Sequence, residues 1–402
     1  LIRVGELNVN NGHVIVLNQN KKPRPQGMDY SHIDVDGIAL SLSEMSFDGD
    51  TITGYLNKLS ASEKSGFVLD EFSSDSMFCV SSREIDFKNL IVKTHETSLD
   101  LDLNFSYDDY KSFNKFVDSI TICADIRPSQ LTLSDLRFFA PTMAKMTDTL
   151  QINGLIEGEV CDFNATDFCF SFKDSTEFYG NIRMEGLPKF SETYIDATIE
   201  KMKFTYQDIS EFAIPARSGK ILLNDLLALS SNSVDNQTDE NKFSLTEKLS
   251  LINDATLRGF YFGFPNSFNT RFILNSNIVD LKLDGAINNN TDVIPYPFYY
   301  STILIDSLNV QKLLDLDERF MASMDVYLSG EGITKEDASV DFNIDFSRYN
   351  SMTFDSIHFD GKYMEQRLKL ATDIDSEILS LKLKADADLS DSLPSFNVNL
   401  DI

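Results

Sequence analysis

The feature that most constrains this chain is a two-residue alternation of apolar and polar side chains that returns along its length. Leu99, Leu101, Leu103, Phe105 and Tyr107 are separated by Asp100, Asp102, Asn104 and Ser106. The pattern recurs at Val340, Phe342, Ile344 and Phe346, at Leu379, Leu381 and Leu383, and at Phe396, Val398 and Leu400. Successive side chains of a strand point to opposite faces, so each segment makes one apolar face and one polar, mostly acidic face. The expected fold is all-β, a long antiparallel sheet with one face for water.

Reading along the chain, short strands are expected at Val4–Val9, His13–Leu17, Ile33–Leu42, Ile52–Leu59, Met77–Val80, Ile85–Lys93 and Ser98–Tyr107, joined by polar turns. The period changes over Asp108–Val117, where Tyr110, Phe113, Phe116 and Val117 fall at helical spacing, and again after Ser134, a candidate cap. Leu133–Pro141 is echoed by Tyr206–Pro215, and Val310–Leu316 is a third short helix. Phe113, Phe116, Phe138, Phe139 and Phe212 on these segments are expected to plug an end of the sheet, cover an edge, or pack in the core. Strands resume through Leu150–Val160, Phe168–Phe172, Phe178–Leu187, Thr193–Phe204, Lys220–Leu229, Thr256–Phe264, Thr270–Ile287, Phe298–Ile305 and Phe320–Gly332, with a polar loop at Ser230–Asn241. Roughly twenty strands of about five to eight residues result.

No linker divides the 402 residues, so one continuous segment is expected, with internal subdivisions 1–130, 131–230 and 242–402. The absence of an initiator Met and an alternation running into Ile402 lead to the expectation of a piece of a longer protein. With 35 basic against 63 acidic residues the net charge is −28, which repels nucleic acid and anionic membrane surfaces.

The residues offer no catalytic constellation, and the chain is read as no enzyme, with no cofactor and no metal. His13, His32, His95 and His358 are isolated, and no nucleophile elbow or phosphate loop is present. Asp34-Val35-Asp36-Gly37 begins like a calcium loop but lacks its later ligands, and turn chemistry explains it better. Asp100 and Asp102 read as solvated neighbours. Asp-Ser/Thr-apolar triplets at Asp118, Asp148, Asp306 and Asp355 resemble an O-glycosylation signal and, individually, read as turns. Cys79, Cys123, Cys161 and Cys169 have no zinc spacing and are expected as buried free thiols, with Cys161 and Cys169 able to face each other across a hairpin in an oxidising compartment.

A wider pattern emerges from three stretches. Leu131-Thr-Leu-Ser-Asp-Leu-Arg-Phe-Phe-Ala-Pro141 is followed by Ile152-Asn-Gly154 to Val160 and Phe178-Tyr-Gly180 to Pro188. Ser347 to Tyr363 is then followed by Leu368-Lys-Leu370 and Asp386 to Phe396. Together, over about residues 130 to 402, they resemble the TamB translocation and assembly family of the AsmA-like superfamily from Gram-negative bacteria. The resemblance implies a periplasmic, inner-membrane-anchored protein whose curved sheet forms a taco-shaped trough with an apolar interior. It further implies that the trough carries phospholipids toward the outer membrane and aids outer-membrane biogenesis with a barrel partner. The anchor and the partner-binding region of the family lie outside this sequence.

Under that reading the lipid-groove lining is Leu99, Leu101, Leu103, Phe105, Val340, Phe342, Ile344, Phe346, Leu379, Leu381, Leu383, Phe396, Val398 and Leu400. Periodicity by itself favours the alternative, a structural β-sandwich or solenoid with these side chains in a dry core. A glycan-binding or adhesin-like β-protein would instead show aromatic platforms on its polar face, and the lack of any Trp weighs against it. A membrane barrel would need steadier, longer strands.

Overall fold

The computed structural model describes residues 1–24, 27–29, 31–138, 148–173, 175–211, 213–216, 219–222, 250–289, 297–315, 321–332, 338–349, 352–375, 380–390 and 395–401. The expected loop at 230–241, Phe139, Phe212 and Leu379 lie outside these residues. Among the described residues the fold is all-β, interrupted by a few short helices. The chain divides into two compact units, Leu1–Phe190 with Asp208–Asp235, and Ser191–Gln207 with Asn236–Ile402.

The first unit carries β1 (Ile2–Leu17), β2 (His32–Asp48), β3 (Thr51–Glu63), β4 (Val68–Ser74), β5 (Met77–Val80), β6 (Glu84–Lys93), β7 (Ser98–Ser106), β8 (Thr121–Thr132), β9 (Thr149–Glu159), β10 (Asp162–Phe172) and β11 (Thr176–Glu185). Consecutive strands pair antiparallel, except that β4 and β5 together act as one broken strand between β3 and β6. The second unit begins with β12 (Tyr194–Phe204). After a small hairpin, β13 (Ala213–Ala216) with β14 (Gly219–Leu222), which falls within the first unit, the second unit continues. Its later strands are β15 (Ala255–Phe264), β16 (Ser267–Ser276), β17 (Val279–Asn288), β18 (Phe298–Asn309), β19 (Met321–Glu331), β20 (Ser339–Tyr349), β21 (Met352–Met364), β22 (Arg367–Asp375), β23 (Ser380–Asp388) and β24 (Ser395–Asp401). β12 pairs with β15, and from there each strand pairs with the next.

Many strands are longer than expected; β1 and β2 reach 16 and 17 residues. The two short strands read at Val4–Val9 and His13–Leu17 are one, bent where the register shifts around Gly12. The segment read as Thr270–Ile287 is two strands turning at Asn277 and Ile278. Strand length therefore does not separate this chain from a membrane barrel. Along β19 and β23 the charged side chains other than Asp388 are exposed and the alternating apolar ones are half-buried or, at Ala387, buried, so the apolar face is the more sheltered. No described helix is long and apolar enough to cross a membrane.

Register shifts organise both units. A β-bulge inserts a residue, bends its strand and sharpens the local twist. In the first unit shifts fall at Phe87/Leu90, Ser98/Leu101, Ile126/Ser129, Thr166/Cys169 and Ala165/Phe168, a line crossing β6 to β11 through the middle of the sheet. The core straddles that line: Leu90, Leu101, Ala124, Ile126 and Ile152 are buried, with Phe72, Leu99, Leu103 and Phe168 packed against them. In the second unit shifts fall at Ile199/Met202, Asp280/Leu281, Ile305/Leu308, Ser323/Met324 and Phe346/Arg348, all along one margin. Beyond that line Ala255, Ile278 and Ala322 are buried. The pairings β15–β16, β16–β17 and β21 through β24 run without a shift.

Helical segments close both ends of the first unit's apolar face. The 3-10 helix Tyr110–Lys115 leads into α1 (Phe116–Ser119), and their rings pack on those at the end of β7. Phe105 meets Phe116 at 5.8 Å and Tyr107 meets Phe113 at 4.9 Å, both edge to face. At the other end the 3-10 helix Leu133–Phe138 buries Leu133 and Phe138 and starts one residue before the expected Ser134 cap. Its Asp135 accepts hydrogen bonds from the hydroxyls of Thr94 and Thr97, each at 2.6 Å. The sequence echo of this helix, α2 (Tyr206–Glu211), repeats the device, since Asp208 at the matching position accepts from Thr176 at 3.1 Å. The third helix, α3 (Val310–Leu314), is capped by Asn309.

Candidate functional site

Register aligns the nominated apolar residues of the second unit into rows. Val340 faces Tyr363, Tyr363 faces Leu368, and the row continues through Ala387 to Phe396. The next rows run Phe342, Gly361, Leu370, Ala385, Val398 and Ile344, Phe359, Thr372, Leu383, Leu400. Phe346 leads through Ile357 and Ile374 to Leu381. The same rows extend backward through Leu328, Val326, Ile303, Leu283 and Phe272 to β15 and β12. The result is one apolar face spanning all eleven strands.

That face is not covered as a sandwich interior would be. Val340, Phe342, Ile344, Phe346, Leu381 and Leu383 are half-buried, while Phe396, Val398 and Leu400 on β24 are exposed, Phe396 at 70%. Neighbours in the same sheet shelter the flanks of a side chain, and only a second layer removes the rest of its surface from water. Among the described residues the buried apolar ones of this unit are Tyr206, Ile252, Ala255, Ile278, Ala322 and Ala387, which gather mainly at its bulged margin. In the first unit the outcome differs. Leu101 is 6% exposed and belongs to the closed core, Leu99 and Leu103 pack against it, and Phe105 lies under Phe116.

Glycines within the apolar face were not nominated from the sequence, and they shape it. Phe268 faces Gly263, Phe272 faces Gly259, Tyr299 faces Gly330 and Phe342 faces Gly361. A Cβ at Gly361 would collide with the Phe342 ring, and one at Gly330 would lie 2.7 Å from the Tyr299 hydroxyl oxygen. At Gly259, Gly330 and Gly361 the facing ring lies over the missing side chain, which keeps the face low there. The signal was present in the sequence as aromatic and glycine residues at strand positions, but only register shows that they pair.

The polar face holds ion pairs. Asp100 and Asp102 are joined through Arg127, whose Nε donates to Asp100 at 2.7 Å and whose Nη1 donates to Asp102 at 3.0 Å. Burial pushes the Asp102 carboxyl up, but the Asn89 amide and Arg127 outweigh it and hold it below its ordinary value. Asp34 and Asp36 sit in β2 with a bulge at Gly37, φ 66°, where a turn was expected. Among the described residues they form with His13 the group within reach of a shared cation; His13 Nε2 lies 2.7 Å from Asp34 and 3.3 Å from Asp36, in an exposed position. His358 is likewise bracketed by Asp345 and Asp360, and the Asp345 hydrogen bond leads the causes that raise its pKa. Buried Asp29 accepts from the Arg24 amide, His32 and the Ser31 amide, and its pKa falls to about 2, the Arg24 bond contributing most.

Two smaller expectations are corrected. Cys161 lies in the turn between β9 and β10 while Cys169 pairs with Asn153 and Tyr179, so the hairpin does not bring them opposite; all four thiols are free and half-buried. Asp306-Ser307 and Asp355-Ser356 lie inside β18 and β21, not in turns.

Comparison with known proteins returned no matching family model, no matching curated protein and no matching solved structure.

Proposed function

We propose that this chain is a segment of a bridge-like lipid-transfer protein of the periplasm, passing phospholipid acyl chains along an apolar groove between the inner and outer membranes and so serving outer-membrane biogenesis. The reading is carried by the uncovered apolar face of the second unit, laid out in register over eleven strands opposite a charged face. Each acyl CH₂ taken from water onto such a surface gains about 0.8 kcal/mol. A surface without directional polar groups holds a chain without fixing it, which suits sliding. The resemblance to the TamB family supplies the compartment, the membrane anchor and the barrel partner of the full protein. Within this segment the groove is assigned to Val340, Phe342, Ile344, Phe346, Leu381, Leu383, Phe396, Val398 and Leu400.

Native mass spectrometry with lipid extraction on the chain secreted to a bacterial periplasm tests this. Several phospholipids per chain are expected. A lipid-free, monodisperse and thermally stable chain would overturn the proposal and favour a dry structural protein.

A further inference from the structure

One group of side chains in the first unit has its donor atoms gathered around a single point. Asp34 and Asp36, two apart on β2, share a face of the strand, and His13 on β1 stands across from them, between the pairs Gly12 with Ile38 and Val14 with Val35. The register slips there, with Gly37 of β2 at φ 66°. A bulge re-aims the side chains beside it. His13 Nε2 comes to 2.7 Å from an Asp34 oxygen and 3.3 Å from an Asp36 oxygen, and the three atoms lie within 4.8 Å of one another. The backbone of Asp34 is fixed from the other side, its amide donating to Glu63 at 3.3 Å and its carbonyl accepting from the Lys64 amide at 3.0 Å.

An ordinary ion pair does not account for this convergence. An imidazole Nε2 carries at most one proton, and here it forms a hydrogen bond with Asp34, which leaves the Asp36 carboxylate facing the same nitrogen with no proton of its own. His358 shows the other arrangement of the same three residue types. Its Nδ1 meets Asp345 and its Nε2 meets Asp360, one carboxylate for each nitrogen, so the donor atoms sit on opposite edges of the ring. That arrangement is complete without a cation. His13 instead directs one nitrogen at two carboxylates, a demand that a cation meets and a single proton does not. Two ligand atoms each about 2.1 Å from a tetrahedral zinc stand about 3.4 Å apart, close to both nitrogen–oxygen spacings.

We propose that His13, Asp34 and Asp36 bind a divalent transition-metal cation of the zinc type, with water completing its coordination on the exposed side. A calcium loop draws its oxygen ligands from one continuous segment; here that segment supplies two carboxylates and the neighbouring strand adds an imidazole. Imidazole nitrogen suits zinc and its neighbours, whereas calcium and magnesium take oxygen. Bound there, the cation ties β1 to β2 at the slip in their register. The strand it fastens leaves Val14, Ile15, Val16 and Leu17 exposed, and a cross-strand tie beside them restrains its fraying. The site is independent of the lipid reading, because it lies in the first unit and uses none of the groove residues.

The test is calorimetric titration of the full chain with zinc chloride and with calcium chloride, followed by amide exchange. Zinc is expected to bind one to a chain, more tightly than calcium, and to slow exchange over Ile2–Leu17. His13→Gln and Asp36→Asn alter exposed side chains and should leave the melting temperature of the zinc-free chain unchanged, while each weakens zinc by about tenfold or more. His358→Gln should leave zinc binding intact. Cobalt in place of zinc should give a spectrum without the sulfur-to-metal charge-transfer band that ligation by any of the four free thiols would add. The proposal is overturned by a chain that does not bind zinc, by zinc binding that His13→Gln leaves intact, by an equal loss in His358→Gln, or by a cobalt–thiolate band.

Discussion

The two units are built from the same alternation and end differently. In the first, bulges cross the middle of the sheet and helices seal both ends, so its apolar residues close on one another, with Leu90 at 0% and Leu101 at 6% exposure. In the second, the bulges are confined to one margin, and the rows through Phe342 and Ile344 stay half-open. Where the sheet creases, and not how apolar its strands are, decides whether an alternating pattern becomes a core or a surface.

The largest effect that would break this comparison is a charge placed on each face. Leu90→Asp buries an unpaired carboxylate in the closed core and should cost about 4 kcal/mol or more, unfolding the first unit in denaturant melts followed by circular dichroism. Ile344→Asp should leave the melt of the second unit nearly intact while reducing bound lipid several-fold. Equal destabilisation by the two would mean that the second unit has a dry core as well.

Next in size is the crease itself. Gly154 has φ 134°, and a Cβ there would come within 2.8 Å of the Phe168 Cα, so Gly154→Ala should destabilise the first unit by about 1–3 kcal/mol. Gly361→Ala, at a bulge-free pairing of the second unit, first meets the Phe342 ring, a side chain and not backbone, and should cost less than Gly154→Ala in the same denaturant titration. Asp135→Ala removes the acceptor shared by Thr94 and Thr97 and should loosen the end helix for about 1–2 kcal/mol, read as faster amide exchange over Leu133–Phe138.

The smallest expected effect concerns pH. The raised pKa of His358 means that its contribution to stability is complete below the ordinary value of 6.5 and fades as pH rises through the folded value. The difference in melting temperature between wild type and His358→Gln should therefore be positive at pH 6 and shrink by pH 9. Asp29 acts with the opposite sign in the first unit: its stabilisation is present above the unfolded carboxylate value and is lost as pH falls toward about 2.

The all-β character and the apolar face from Val340 to Leu400 were legible because a period of two survives in any sheet, whatever covers it. The creases were legible only in part. Phe87 to Leu90 and Ile305 to Leu308 each skip three residues instead of two, a phase slip that marks a bulge but reads equally as the end of one strand and the start of another. That ambiguity split β1 in two and made the strands look short. The role of Asp135 and Asp208 was hidden because their threonine partners stand about forty and thirty-two residues away.

The chain has no Trp, so one introduced residue reports on one place. Phe342→Trp on the second unit and Phe78→Trp in the first, where Phe78 is buried and packs near Phe87, can each be titrated with phospholipid brominated on its acyl chains, which quenches indole fluorescence at contact range. Strong quenching at 342 with none at 78 is the result this account predicts. No quenching at 342, or equal quenching at both positions, would contradict it.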